Sequence, residues 1–323
     1  MLEISKLYKA FSLEAGFFAP VGRYVYAVNG VSFTMKRGEI FGLVGESGCG
    51  KTTTARLVVR TYPIDDGSIV FTDNEGAVFD VGRLDHKRLK LLRSKVKYIF
   101  QDPAKSLNPR MTILEVLTAG YRYQESWPGK RQAREEAAEM LREVGLSPDD
   151  LERRPADFSG GQRQRISIAR ALITQPELLI CDEVVSALDV SIQGQILQLL
   201  LRLREQYGFG MLFIAHDLAV VSYICDRVGV MYRGMLMEIA PAQRLIEAPT
   251  HPYTKHLYAS VPTLEPVAAG DPEAGQHARG RRAGGARTTR FGEVPDPTVP
   301  PAGAGTELMQ VAEDHYVSAL FSA

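Results

Sequence analysis

The sequence predicts an α/β fold built on a mostly parallel sheet. A short apolar run, Ile40 to Val44, enters a glycine-rich loop and leaves it as a helix. Downstream, short apolar runs alternate with helical segments, the pattern of parallel strands covered by helices on both faces. Between about Asp102 and Ala156 the character changes to charge-rich helical spacing, which reads as a helical subdomain inserted into that core.

The elements follow in order. Residues 2–8 and 24–35 alternate apolar and polar types, as half-buried strands do. Thr52 to Arg60 is the helix leaving the glycine loop. Arg131 to Val144 places Ala133, Ala137, Met140, Leu141 and Val144 on one helical face. Core features then resume as helix Gly161–Ile173, strand Leu178–Cys181, helix Ser191–Gln206 and strand Met211–Ala215. From about Pro266 to Thr306 the chain is rich in Gly, Pro and Ala, with five arginines between Arg279 and Arg290. Such a stretch buries too little apolar surface to offset chain entropy, so a mobile tail is expected, either a solvated linker or a segment that touches lipid headgroups. No internal repeat is visible, so the chain carries one unit of this kind.

At 323 residues, with 45% hydrophobic and 24% charged residues, the chain has the composition of a soluble globular protein of one large or two modest domains. A formal net charge of +0 gives no global electrostatic case for nucleic acid or anionic lipid as partner. The start, Met1 to Lys6, has no apolar run after a basic segment, so no signal peptide is expected. Gly210 to Tyr232 is broken by His216, Asp217, Asp226 and Arg227, short of the roughly 18–20 apolar residues a membrane span needs. Membrane association is therefore expected through a partner. Cys49, Cys181 and Cys225 show neither zinc spacing nor a disulfide framework, which suits a reducing cytoplasm.

The chemistry concentrates in three places. Gly45-Glu46-Ser47-Gly48-Cys49-Gly50-Lys51-Thr52 fits G-x-x-x-x-G-K-[ST], a loop whose inward N–H groups cradle phosphates. Lys51 supplies charge to those phosphates, Thr52 a hydroxyl for Mg²⁺, and Thr53 continues into the helix. Leu178 to Glu183 is an apolar strand ending in two carboxylates. Burying one there costs several kcal/mol unless it meets a cation, so Mg²⁺ is the natural partner of Asp182. Ser159-Gly160-Gly161-Gln162 opens a helix and offers a second anion site.

A phosphate loop followed by Ser-Gly-Gly-Gln resembles the ATP-binding-cassette (ABC) ATPases. The resemblance implies ATP and Mg²⁺ as cofactors. It implies a P-loop core with an antiparallel N-terminal β subdomain, an inserted helical subdomain and a C-terminal extension. Glu183 is then similar to the catalytic carboxylate that polarises the attacking water, and Gln101 to the glutamine that reaches Mg²⁺ and that water. His216 resembles the switch histidine at the γ-phosphate. Asp189, in Ser186-Ala187-Leu188-Asp189, resembles the aspartate that communicates across a dimer. Thr52, Gln101 and Asp182 form the implied metal set. An aromatic residue upstream of the loop stacks on adenine in such proteins: Phe11 if Ser12 to Tyr24 is an insertion, with Tyr24 and Tyr26 as rivals. The Ser159–Gln162 signature meets nucleotide held by an opposite subunit, so a second ATPase, a copy or a paralogue, is implied.

Within the ABC proteins, Gln101-Asp102-Pro103, Ser106 to Thr112 and Val185 to Gln193 resemble ATPases of dipeptide, oligopeptide and nickel importers. His251-Pro252-Tyr253-Thr254 with Val261-Pro262 resembles their C-terminal extension, and Gly292 to Pro297 with Pro300-Pro301 their further tail. The implied organisation is a nucleotide-binding domain over 1–240 with the helical subdomain at 102–158, the extension at 241–265 and the tail at 266–323. The implied function is ATP hydrolysis driving peptide uptake at the cytoplasmic face of the membrane. Two permease subunits, contacted near Asn108 to Met111, and an extracytoplasmic binding protein are the implied partners. An importer of nickel or another small solute, an exporter ATPase, and a soluble ABC ATPase acting on DNA or the ribosome are the alternatives. Val184 stands where proline is usual, Thr52 where serine is commoner, and no cysteine follows Cys225, so a cysteine-bound cluster in the tail is not expected.

Overall fold

The computed structural model describes residues 1–12, 24–120, 122, 127–259 and 308–318, with the side chains of 104 and 105 excepted. Val261-Pro262, the arginines of the tail, Gly292 to Pro297 and Pro300-Pro301 lie outside the described residues.

The alternating N-terminal segments form two long strands, β1 (Leu2–Ser12) and β2 (Tyr24–Met35), paired antiparallel with Leu2 opposite Met35 and Phe11 opposite Val25. β1 runs four residues past the expected end, and its other edge is closed by β4 (Asp66–Thr72) and β5 (Val78–Asp80). This gives an antiparallel sheet of order β2-β1-β4-β5.

The second sheet is mixed. Parallel strands β3 (Ile40–Val44), β6 (Val96–Ile99), β7 (Leu178–Asp182), β8 (Gly210–Ile214) and β9 (Arg227–Tyr232) lie in the order β9-β3-β8-β7-β6. β3, β7 and β8 are buried throughout, as strands covered on both faces must be. β10 (Met235–Pro241) returns antiparallel on β9, and a hairpin of β11 (Leu308–Ala312) and β12 (His315–Ser318) extends the same edge.

One face of the mixed sheet packs on α1 (Lys51–Val58) and the antiparallel sheet, through Leu2, Ile4, Phe33, Phe41, Leu57 and Ile180 among others. Phe33 and Phe41 stack at 4.7 Å with planes 2° apart, joining the two sheets. The other face packs on α6 (Gly160–Leu172), α7 (Val190–Tyr207) and α8 (Leu218–Ile224).

The inserted subdomain holds α3 (Pro103–Ser106), α4 (Ile113–Thr118) and α5 (Lys130–Glu143), preceded in the chain by α2 (His86–Lys95). Thr112 and Glu115 close a capping box that starts α4. Ala133, Ala137, Met140 and Leu141 are the buried stripe of α5. Arg170 on α6 donates to Ser106 O at 2.7 Å and Arg165 to Val144 O at 2.7 Å, so the signature helix carries the subdomain.

The C-terminal extension forms α9 (Ala242–Glu247) and α10 (Pro252–Ala259). Glu238 of β10, with no exposed surface, accepts from the N–H groups of Thr250 and His251 at 2.9 Å each and meets His315 Nε2 at 2.7 Å. That buried cluster fastens the hairpin to the core. The expectation of one mobile tail over 266–323 is thereby corrected for residues 308–318: their few apolar side chains suffice because Glu238 supplies a buried polar anchor.

Candidate nucleotide site

The site forms where β3, β6, β7 and β8 end on the same side of the sheet, the place where open α/β sheets put their ligands. Gly45 leaves β3 with φ 149°, and Gly50 enters α1 with φ 109°. A Cβ on Gly45 would lie 2.1 Å from Met231 O, and one on Gly50 2.1 Å from Ala27 O. Only glycine lets the loop lie this close to β2 and β9. Glu46, Ser47 and Gly48 are exposed at its crest, whereas Cys49 is buried and burial pushes its thiol up. Gly50 provides no side-chain cap, which leaves the first N–H groups of α1, those of Lys51, Thr52 and Thr53, for an anion. Lys51 curls over the loop, donating to Gly45 O at 2.7 Å and Glu46 O at 2.8 Å.

Asp182 closes β7 at 3% exposure. Thr52 Oγ1 donates to its Oδ1 at 2.9 Å and the Tyr98 hydroxyl to its Oδ2 at 2.6 Å. Burial and the Asp182 charge push the Tyr98 hydroxyl far above its ordinary range, so it remains a donor.

Glu183 is the next residue, and its backbone is unusual, with φ 49° for a residue that is not glycine. Such a conformation costs about 1–3 kcal/mol and persists where neighbours enforce it. Here Glu183 N–H donates to Ile214 O at 3.0 Å, and the Ser186 hydroxyl donates to Glu183 O at 2.9 Å. The strain turns the side chain toward Gln101, whose Nε2 donates to Oε2 at 2.6 Å, and toward His216, whose Nδ1 lies 3.9 Å from Oε1. Gln101 follows β6 and His216 follows β8, so the three come together from adjacent strand ends.

Ser159 caps α6: its Oγ accepts from Gln162 N at 3.3 Å, and Gln162 Oε1 accepts from Ser159 N at 2.9 Å. Ser159, Gly160 and Gln162 are exposed, and Gly161 sits where a Cβ would approach Ile192 Cγ2 at 2.8 Å. Asp189 precedes α7 without a side-chain cap bond, and Val190 beside it is 84% exposed. The signature's hydrogen bonds close on its own helix, whereas those of Lys51 close on the phosphate loop.

Phe11 is half-buried, edge-on to Tyr62 at 5.2 Å, with Lys9 Nζ 5.4 Å above its ring. Its partner Val25 precedes by two residues the Ala27 carbonyl that touches Gly50, which puts Phe11 at the loop's corner of the sheet. Tyr24 is 49% exposed opposite Ser12, and Tyr26 pairs with Ala10. Two features escaped the sequence reading. Tyr98 lay unnoticed inside an apolar run, and Tyr253 of the extension packs on Tyr232 at 4.4 Å, just beyond the Met231 carbonyl that borders Gly45.

Comparison with known proteins agrees with this geometry. Residues 28–186 match the ABC transporter family model, and residues 237–287 match the oligopeptide/dipeptide transporter C-terminal region. The oligopeptide transport ATP-binding protein OppF of Bacillus subtilis is 46% identical over 261 residues, covering 81% of this chain and 84% of that one. AppF of the same organism, also an oligopeptide transport ATP-binding protein, is 42% identical over 307 residues, covering 94% and 87%. Among solved structures, the dimeric post-hydrolysis state of the ATP-binding cassette MJ0796 with ADP and phosphate superposes with a TM-score of 0.64. It is 27% identical and covers 75% of this chain and 99% of that one. A phosphate loop, a capped Ser-Gly-Gly-Gln helix and this kinship lead to one conclusion: the chain belongs to the ABC transporter family as an ATP-binding, ATP-hydrolysing subunit.

Proposed function

We propose that this subunit hydrolyses ATP to energise import of di- and oligopeptides through a membrane permease. The observation that carries the reading is the C-terminal extension matched to oligopeptide and dipeptide transporters, whose His251 and Tyr253 are buried, with Tyr253 packed on Tyr232 next to the Met231 carbonyl that borders the phosphate loop. Relatives named for oligopeptide or peptide transport, matched over most of both chains, support the same cargo class.

In this reading the N–H groups of Gly45 to Thr53 and the Lys51 ammonium bind the β- and γ-phosphates, and Phe11 stacks on the base. The donor set of Thr52, Asp182 and Gln101 fits magnesium. All three offer hard oxygens, and the bonds that reach the buried Asp182 come from neutral hydroxyls, so its charge awaits a cation. Magnesium bound there supplies neutralisation of the phosphate charge. Glu183 orients a water and takes its proton as the water oxygen attacks the γ-phosphorus and the bond to the bridging oxygen breaks, releasing ADP and phosphate. Gln101 and His216 hold Glu183 between them. Ser159, Gly160, Gly161, Gln162 and Asp189 serve the nucleotide of a second ATPase subunit, the exposed start of α6 offering N–H groups to an anion from outside the chain.

Among the described residues no helix is long and apolar enough to cross a membrane. In this reading the chain acts peripherally, on the cytoplasmic face, docking on two permease subunits served by an extracytoplasmic binding protein. The exposed Asn108 and Arg110 of the helical subdomain are the contact. The nucleotide-binding domain spans 1–240, with the subdomain at 102–158 and the extension at 241–265. Tagging the protein in its native cell, solubilising the membranes mildly and identifying what co-purifies tests this. Two multi-span permeases and an ATPase partner are expected. Recovery of a soluble protein with DNA or ribosomes contradicts it.

A further inference from the structure

The hydrogen bond from Tyr98 to Asp182 does not stand alone. The Tyr98 hydroxyl has a single hydrogen, and it goes to Asp182 Oδ2 at 2.6 Å. Thr52 on α1 donates to Oδ1 at 2.9 Å. Both oxygens of one carboxylate are thus gripped, Oδ1 by Thr52 of α1 and Oδ2 by Tyr98 of β6. The Tyr98 ring is itself braced by Phe100, 4.7 Å away.

We propose that Tyr98 is a positioning residue that fixes the orientation of the Asp182 carboxylate toward the magnesium of bound nucleotide. The proposal rests on the assignment of Asp182 to that metal. A carboxylate free to rotate spends its affinity on being ordered, whereas one clamped at both oxygens presents a lone pair at a set angle.

The test is ATP affinity by isothermal titration on the full chain, once with excess Mg²⁺ and once in EDTA. The ratio of the two affinities is the magnesium increment. Tyr98→Phe removes only the hydroxyl, and losing a hydrogen bond to a charged group predicts an increment smaller by about tenfold. Affinity in EDTA is expected to stay at the wild-type value. Phe100→Leu, at an exposed position, removes the brace of the Tyr98 ring and is expected to lower the increment two- to threefold, roughly a fraction of the full bond. An unchanged increment in Tyr98→Phe overturns the proposal, as does an equal loss with and without Mg²⁺, which marks a merely structural role. If Tyr98→Phe does not fold, an unchanged increment in Phe100→Leu overturns it instead. Asp182→Asn separates the two levels: an increment that survives it removes Asp182 from the metal site, whereas its loss alongside an unaffected Tyr98→Phe leaves that assignment standing and removes Tyr98.

Discussion

Replacing Gly50 by alanine probes the phosphate loop where its geometry is most demanding. A Cβ there lies 2.1 Å from Ala27 O, a backbone atom of β2 that cannot swing aside, and φ is 109°. The left-handed backbone costs about 1–2 kcal/mol for an L-residue, and overpacking adds about 1–3 kcal/mol. Gly48 is the control, because its φ is 82° but a Cβ there meets nothing within 4 Å. Gly48→Ala therefore loses only the backbone part, about 1 kcal/mol, and Gly50→Ala about 3 kcal/mol. For a domain of this size the difference separates a fall in Tm of about 2–4 °C from one of about 6–12 °C. Thermal denaturation followed by calorimetry, with ATP binding measured on the same samples, reads both. Equal losses, or a Gly50→Ala protein as stable as the parent, refute the steric account of the loop.

Further predictions concern other parts of the site and core. Glu183→Gln keeps ATP binding and lowers steady-state turnover by about 10²–10⁴-fold, the usual contribution of a general base, and accumulates an ATP-bound dimer visible by size-exclusion chromatography. Normal turnover in that variant removes Glu183 from the role. Lys51→Ala weakens ATP binding by about tenfold or more, since it deletes a charge-assisted contact, and unchanged affinity in fluorescence titration contradicts the loop assignment. Lys95→Met leaves Asp73, at 1% exposure, without its cation partner at 3.0 Å and costs about 3 kcal/mol in urea denaturation. Burial would raise the Asp73 carboxyl, but Lys95 and the N–H groups of Ala77 and Glu75 outweigh it and hold it below the usual range. Its stabilisation is thus complete above the unfolded carboxylate value, near about 4, and is lost as pH falls through the lower folded value. In Lys95→Met that acid-side slope flattens, and an unaltered slope rules out the pair as its source.

Much of the site was legible because it obeys local rules. The glycine loop must be glycine wherever φ is positive or a carbonyl presses close, and Gly45 and Gly50 meet both conditions. Strands β3, β7 and β8 read clearly because burial on both faces leaves unbroken apolar runs. Helix and strand ends fell within one or two residues, except β1, whose last turn of pairing depends on β2 and on Asp65, which accepts from Ala10 N at 2.8 Å. The hairpin at 308–318 was hidden because what holds it is long-range: β12 pairs with β10, and His315 meets the buried Glu238. Tyr98 was hidden for a similar reason: nothing in Val96 to Phe100 announces that Asp182 will meet its hydroxyl. Among Phe11, Tyr24 and Tyr26, spacing alone left the base-stacking residue open.

The link between ATP hydrolysis in this chain and peptide uptake is met most directly by transport itself. The co-purified permease complex, reconstituted in liposomes with its binding protein, is given ATP on the ATPase side and a labelled oligopeptide on the other. Peptide accumulation is expected to depend on ATP and to disappear when this chain carries Glu183→Gln. Accumulation that persists at the parent rate with Glu183→Gln, or ATP turnover that moves no peptide, contradicts it.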